Sequence, residues 1–524
     1  MPDSLWIRRL FFTLAVLYLL PVWTVRYLPT TDGPCHTYNA WVFQQLWSGE
    51  ASPVIREHYE MNVQPFPNWT GQAAMAALLF AMPPLVAEKV LVSGALLLFL
   101  GGAWALAGAV RPDVRWPALL AFPFAYNLLF QYGFYNFYLS LGLYLVVLAV
   151  WWRHRARPDL GFAVKINLLL LLCYFSHIVS LVLALFSIAV LWLASLRREG
   201  WRTHLLHVPL LIPQLILPVW FLRLQGASGI PPSSSWSVET LLSYLVPPEV
   251  LVTFGDFQGR LAAVVTGTVL LLVALTLWGR ISRGNGDRRK LLVPEDGFLL
   301  LAAALVVLYL VAPEGMAGGN ILLERLSLYP WLVLIPWLAP RLGARGKATA
   351  VAGLTLMTLA NLDYLVQWHG LLGREVGRYV AGFEAVTPGS RVLALHFQRR
   401  GPAGRTEIFG HATGYAALEK ELIDWDNYQA ATSFFPVRFR SNVPRPDIWR
   451  TYIDPNLLQI RQTRDLIDAV YVWRMPLGHP LERRLRQSYR LVAEKDGGAL
   501  WERKRQRHHF RKQELAKGTG LPRR

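Results

Sequence analysis

The chain has 524 residues, of which 53% are hydrophobic and only 17% charged, with 21 Trp and 20 Tyr. That exceeds what a soluble domain needs, and several apolar runs approach bilayer length, so the chain reads as a polytopic α-helical membrane protein. A formal net charge of +19 would suggest nucleic acid in a soluble chain. Here much of the basic charge sits in short loops between apolar runs, where it sets topology, and nucleic-acid binding is not expected.

The first apolar run covers residues 10–28. Arg8 and Arg9 before it place the N-terminus in the cytoplasm, and no small-x-small site follows Leu28, so the run is expected to stay as an anchor. Further candidate spans fall at 70–84, 86–110, 116–131, 134–152, 160–176, 178–195, 204–222, 261–279, 297–312, 326–340 and 349–368. The basic loops around Arg111/Arg115, Arg153/Arg155/Arg157, Arg197/Arg198/Arg202, residues 280–290 and Arg341/Arg345/Lys347 all become cytoplasmic only if 70–84 does not fully cross. That segment is short, ends in Pro83-Pro84, and suits a re-entrant or interfacial piece. About eleven full spans are expected. No internal repeat is evident, so an inverted-repeat transporter gains no support.

The outward surface then comprises residues 29–69, the turn 131–136, the loop 223–258 and residues 313–325, which should meet at one face. The chain divides into a membrane module at 1–369, an external soluble α/β domain at 370–505 and a basic, disordered tail at 506–524. In the second unit Ser390-Arg391-Val392-Leu393-Ala394-Leu395-His396-Phe397 and Asp468-Ala469-Val470-Tyr471-Val472-Trp473 read as strands, 412–422 and 480–487 as helices, and 489–503 as a closing hairpin around Gly497-Gly498.

The first outward loop carries Asp32-Gly33-Pro34-Cys35-His36-Thr37-Tyr38-Asn39-Ala40. Pro34 suits the first helical position, and a helix over 34–47 puts Tyr38, Trp41, Val42 and Leu46 on one face, which fits a helix lying in the membrane interface. Asp32 and His36 flank its first turn, where unpaired N–H groups favour an anion. The alternative is that Asp32 only caps the helix and His36 is an interfacial hydrogen-bonding residue. Cys35 and Cys173 give neither a disulfide framework nor metal-ligand spacing.

Other candidates carry the same two-sided reading. His177 falls at an outward turn, as a site residue or as a hydrated turn residue. Asn136 suits hydrogen bonding to a polar ligand, with its aromatic neighbours as stacking partners or ordinary belt residues. Asp424-Trp425-Asp426 has the Asp-x-Asp spacing of metal-nucleotide-sugar sites, but no nucleotide-binding sheet precedes it. Asn68-Trp69-Thr70 is a formal glycosylation sequon abutting the membrane. Residues 226–236 suit a mobile lid or a plain connection.

An N-terminal span that delivers an Asp to the first external loop, interfacial helices, many further spans and a C-terminal external α/β domain resemble the C-type (GT-C) membrane glycosyltransferases. More narrowly, Asp32-Gly33-Pro34-x-His36-x-Tyr38-x-Ala40 is similar to an Asp-x-Pro-x-His signature in the first loop of bacterial relatives, and Gly133-Phe134-Tyr135-Asn136-Phe137 and Glu324-Arg325-Leu326 also resemble that group. The resemblance implies a bacterial inner-membrane enzyme that transfers a sugar from a polyprenyl-phosphate carrier to a lipid, glycan or protein acceptor at the external face, among membrane lipids, with inversion. Asp32 is then the general base, Arg325 (or a mere ion pair to Glu324) meets the phosphate, and His36, Asn39, Asn136, His177 and Glu324 bind substrate or donor. No second acid stands beside Asp32 and no clear metal-binding acidic set is found, so no cofactor is assigned and a divalent metal ion stays open. The rival readings are a transporter or lipid flippase, and a non-catalytic scaffold.

Overall fold

The computed structural model describes residues 5–504, except Arg157, Asn320, Ala403, Ser433 and residues 196–210, 226–235, 283–292 and 316–318. The tail at 506–524, all of the candidate lid at 226–236 except Trp236, and most of the basic loops at 197–202 and 280–290 lie outside the described residues.

Seven helices among the described residues are long and apolar enough to cross a membrane: Leu5–Trp23, Pro84–Val110, Tyr135–His154, Ile178–Ser195, Asp256–Ile281, Pro294–Val311 and Ala344–Ala381. They leave large apolar side chains on the outside of the bundle, among them Leu270, Leu271, Trp278, Val307 and Leu356. Such a surface is stable only against lipid. The chain is an integral membrane protein. At the centre, Pro84–Val110 packs on Tyr135–His154 through facing small residues, and a Cβ added to Gly142 would lie 2.9 Å from the Phe99 amide nitrogen. Close backbone approach of this kind is how spans associate where lipid offers no hydrophobic drive.

Among the described residues seven of the roughly eleven expected spans are full-length helices, and part of the difference has a local reason. Residues 116–131 break into a 3-10 turn Trp116–Ala121 and the short helices Phe122–Ala125 and Leu128–Gln131. Pro117 and Pro123 interrupt the ladder, and Asn127 caps the last piece by accepting from the amides of Leu129 and Phe130. Residues 326–340 likewise form Leu322–Leu334, with Pro330 inside, and a 3-10 turn Ile335–Trp337. Both segments are buried among the other helices, where freed backbone groups find partners. Three shorter apolar helices, Thr70–Leu79, Leu160–Ser176 and Ile212–Leu224, complete the bundle.

Ala344–Ala381 has 38 residues, about 57 Å at 1.5 Å per residue, well beyond a hydrocarbon core of about 30 Å. It runs unbroken past residue 370 and leads into the sheet region. Among the described residues there are seven strands: β1 (Tyr59–Met61), β2 (Arg391–His396), β3 (Ile423–Asp424), β4 (Val437–Phe439), β5 (Ala469–Trp473), β6 (Tyr489–Lys495) and β7 (Gly498–Arg503). The main sheet has the order β3-β2-β5-β7-β6, parallel from β3 to β5 and antiparallel through β7 and β6. β5 is buried along its whole length, as its continuous apolar run requires. Asp496 and Gly497, both with positive φ, make the two-residue turn of the closing hairpin.

The first loop is stitched to this region. β1 pairs antiparallel with β4, Tyr59 opposite Phe439, and Gly414 lets its helix approach so closely that a Cβ there would lie 2.6 Å from the Pro34 carbonyl oxygen. The helix Gly33–Ser48 therefore turns Tyr38 and Val42, from the face that its spacing suggested for lipid, into the protein. Tyr38 is fully buried and donates to the Leu422 carbonyl, because the C-terminal region covers the face expected to meet lipid.

Candidate active site

Asp32 is positioned by its backbone. Its N–H donates to the Tyr132 carbonyl at 2.9 Å, and that of Thr31 to the Gln131 carbonyl at 3.2 Å. Gly133, at φ +76°, makes this possible, since a Cβ there would lie 2.5 Å from the Gly33 nitrogen and a side chain would strain the turn. The turn 131–136 and the first loop are thus one structural unit.

Although Asp32 immediately precedes Gly33–Ser48, its side chain makes no capping hydrogen bond. Oδ2 instead accepts a 2.6 Å hydrogen bond from the Tyr428 hydroxyl. Oδ1 lies 3.8 Å from Nε2 of His411, whose Nδ1 lies 3.7 Å from Oδ2 of Asp426. Burial pushes the Asp32 carboxyl up to about 7, against the pull of the Tyr428 hydrogen bond and of the Arg325 charge. Burial also pushes His411 down to about 4, and burial with Asp424 alongside raises Asp426. The group between the two carboxyl groups is a neutral imidazole.

His36, one turn along, stacks on Tyr135 at 5.6 Å, and its Nδ1 lies 3.1 Å from Nε2 of Gln429. The Tyr135 hydroxyl is anchored in turn by donating to Glu88 at 2.7 Å, and Tyr415 donates to the same carboxylate at 2.9 Å.

These groups close the polar end of a cavity of about 740 Å³. Its other wall is apolar and comes from the bundle, with Val182, Leu183, Leu308 and Val311 among the lining residues. Arg325 reaches the cavity from the first turn of Leu322–Leu334, its guanidinium 4.8 Å from the Phe134 ring centre and 5.6 Å from that of Phe137. Stacking of this kind orients a planar cation without neutralising it.

Of the residues singled out from sequence, Asp32, His36, Asn136, His177 and Arg325 share this cavity, whereas Asn39 and Glu324 do not line it. Asn39 is fully buried behind His36 and bonds to Asn427 and Gln429. Asn136 uses its amide on the chain itself, accepting from the Gly71 N–H at 2.6 Å and donating to the Asn68 carbonyl at 3.0 Å, so it braces the next turn. His177 ends Leu160–Ser176, and its Nδ1 accepts from the Val179 N–H.

His411, Asp426, Tyr428 and Gln429 were not singled out as site residues. The Asp-x-Asp spacing of Asp424-Trp425-Asp426 suggests a metal motif, but Asp424 accepts the Asp426 N–H at 2.9 Å. That local turn leaves Asp426 alone on the cavity. Among the described residues no group of three or more His, Cys, Asp or Glu side chains is gathered to hold a metal ion. No local signal marks Tyr428 or Gln429, since what makes them matter is contact with a loop almost 400 residues earlier.

No protein-family model matches the chain, and no curated protein matches it in sequence. In three dimensions it is similar to ArnT from Cupriavidus metallidurans, a structure described as bound to undecaprenyl phosphate. The TM-score is 0.55 at 13% identity, over 95% of this chain and 98% of that one. The chain is an integral membrane protein whose fold is similar to that of ArnT over almost its whole length.

Proposed function

We propose that the protein is a membrane glycosyltransferase that moves a sugar from a polyprenyl-phosphate carrier to an acceptor hydroxyl at the external face of a bacterial inner membrane. The observation that carries this reading is one cavity with an apolar wall and, at its polar end, an anionic base facing an oriented cation. An isoprenoid chain suits the apolar wall, and its phosphate suits Arg325, which can meet it bidentately. The similar ArnT structure, with undecaprenyl phosphate bound, supports the same choice of carrier.

In this mechanism Asp32 takes the proton of the acceptor hydroxyl as its oxygen attacks the anomeric carbon. The bond from that carbon to the carrier phosphate breaks with inversion, and the phosphate leaves with the electron pair. Arg325 and the neutral His36 stabilise the charge gathering on it. Burial serves the base, because a carboxylate held near neutral pKa is more basic than one in water.

The test is sugar transfer by the purified protein in lipid, from a panel of radiolabelled polyprenyl-phosphate sugars into a membrane extract. Wild type is expected to transfer, and Asp32→Asn to bind donor without turnover. Equal transfer by both would remove Asp32 from the mechanism. Accumulation in sealed vesicles without covalent turnover would replace the enzyme with a transporter.

A further inference from the structure

The two ring nitrogens of His36 have different surroundings. Nδ1 lies 3.1 Å from Gln429 Nε2, and an amide nitrogen only donates, so Nδ1 must be the acceptor if the Gln429 amide is oriented in this way. A chain of neighbouring amides sets that orientation. The backbone N–H of Ala430 donates to Asn427 Oδ1 at 3.1 Å, which identifies the oxygen end of Asn427. Its Nδ2 then donates to Asn39 Oδ1 at 2.8 Å, which leaves Asn39 Nδ2 to donate to Gln429 Oε1 at 3.0 Å. Gln72 Nε2 donates to the same oxygen at 2.8 Å. A flipped Gln429 amide would turn its NH₂ against the Asn39 donor.

Gln429 Nε2 has two hydrogens, and both have acceptors. One goes to His36 Nδ1 and the other to the Tyr428 hydroxyl oxygen at 3.3 Å, whose own proton goes to Asp32. A direction of hydrogen bonding that starts at a backbone N–H thus passes through three amides and ends on the base and the imidazole together.

Burial pushes the His36 ring down to about 3, so at neutral pH it carries one proton, and with Nδ1 accepting, that proton is on Nε2. Nε2 has no hydrogen-bond partner among the described residues, the ring lines the cavity and Tyr135 fixes its plane. A neutral donor has an advantage here. An imidazolium beside Asp32 would stabilise the carboxylate and weaken it as a base, whereas a neutral N–H binds an anion without that effect.

We propose that Gln429 is a positioning residue that holds His36 as the Nε2–H tautomer, so that the imidazole presents a hydrogen-bond donor to a phosphate in the cavity. The phosphate half of this rests on the carrier reading above; the tautomer half does not.

The experiment uses the full chain in lipid nanodiscs with ¹⁵N-labelled histidine, the His36 signals being identified by their loss in His36→Gln. The wild type is expected to show Nδ1 unprotonated and Nε2 protonated. In Gln429→Met both tautomers should appear, and the Kd for undecaprenyl phosphate should rise about two- to tenfold, a part of one hydrogen bond to a charged group. Undecaprenol, which lacks the phosphate, should bind both proteins equally. Should Gln429→Met fail to fold, Gln429→Glu still accepts from Asn39 and Gln72 and sets an acceptor against Nδ1, so the proton is expected to move there.

A wild-type proton on Nδ1, or a tautomer that ignores both substitutions, would overturn the proposal. Equal weakening of undecaprenol would overturn it too, since that marks a packing defect. Inorganic phosphate separates the sources: if it competes as well as the lipid, the donor serves a free anion, and the carrier reading fails while the positioning role stands. If neither phosphate binds a wild type with the expected tautomer, the phosphate half is overturned together with the carrier reading.

Discussion

The Tyr428 hydroxyl donates a 2.6 Å hydrogen bond to Oδ2 of Asp32 across 396 residues of sequence. The candidate base sits at the mouth of the first span, and the group that tunes it belongs to the C-terminal region. The site is therefore complete only when that region is seated on the membrane bundle, as the pairing of β1 with β4 ensures.

Tyr428→Phe removes a donor to the charged form of Asp32, and that donor lowers the carboxyl pKa. Without it the pKa rises above about 7. Because the base acts ionised, the acid limb of the rate profile should move to higher pH, by roughly one unit. Transfer should then fall more at pH 6 than at pH 8.5. A profile that drops uniformly would assign Tyr428 to substrate contact instead.

Asp32→Asn should abolish turnover and yet stabilise the protein. The folded carboxyl lies near 7 against an ordinary 3.8, so the folded state favours the protonated form. The wild type therefore loses stability as pH rises from about 4 through 7, and the amide, which does not titrate, escapes that loss. Melting in detergent is expected to show the variant ahead by a few °C at pH 8, with the gap narrowing at pH 5. An equal gap at both values would mean that charge burial is not the cause.

Arg325→Gln should weaken undecaprenyl phosphate binding by about tenfold or more, the loss of a charge-assisted contact. Arg325→Lys should recover only part of it, because an ammonium keeps the charge but neither the fork nor the stacking on Phe134. Titration in nanodiscs reads both. Unchanged affinity in Arg325→Gln would leave the cation as a structural residue.

Gly133→Ala places a Cβ against the Gly33 nitrogen at a positive φ, so the turn that holds Asp32 must shift. Transfer should drop at least tenfold for a displacement of this size next to the reacting atoms. Gly94→Ala, where a Cβ meets nothing within 4 Å, should leave both transfer and melting near wild type. If Gly133→Ala is equally silent, the turn does not position the base.

The membrane class, the order of the apolar segments, the main strands and the closing hairpin were legible in the sequence alone, and so was the choice of Asp32, His36 and Arg325, which line one cavity. Each depends on local information: the length of an apolar run, a period of two, or ionisable groups where a span meets water. Where local patterns failed, the cause was burial by distant parts of the chain. Residues 116–131 are apolar enough to be taken for a span, yet they fold as broken, buried pieces, because composition does not tell lipid from protein as the surrounding medium. The face of Gly33–Ser48 expected to meet lipid is covered by the C-terminal region.

Only the tertiary structure decided which groups complete the site. Tyr428, His411, Asp426 and Gln429 carry no motif of their own, and Asp424-Trp425-Asp426 pointed to different chemistry. They meet Asp32 and His36 because strand pairing and helix packing carry a distant segment onto the first loop. A hydrogen bond depends on tenths of an ångström between side chains brought together from the two ends of the chain, and no local spacing encodes that meeting.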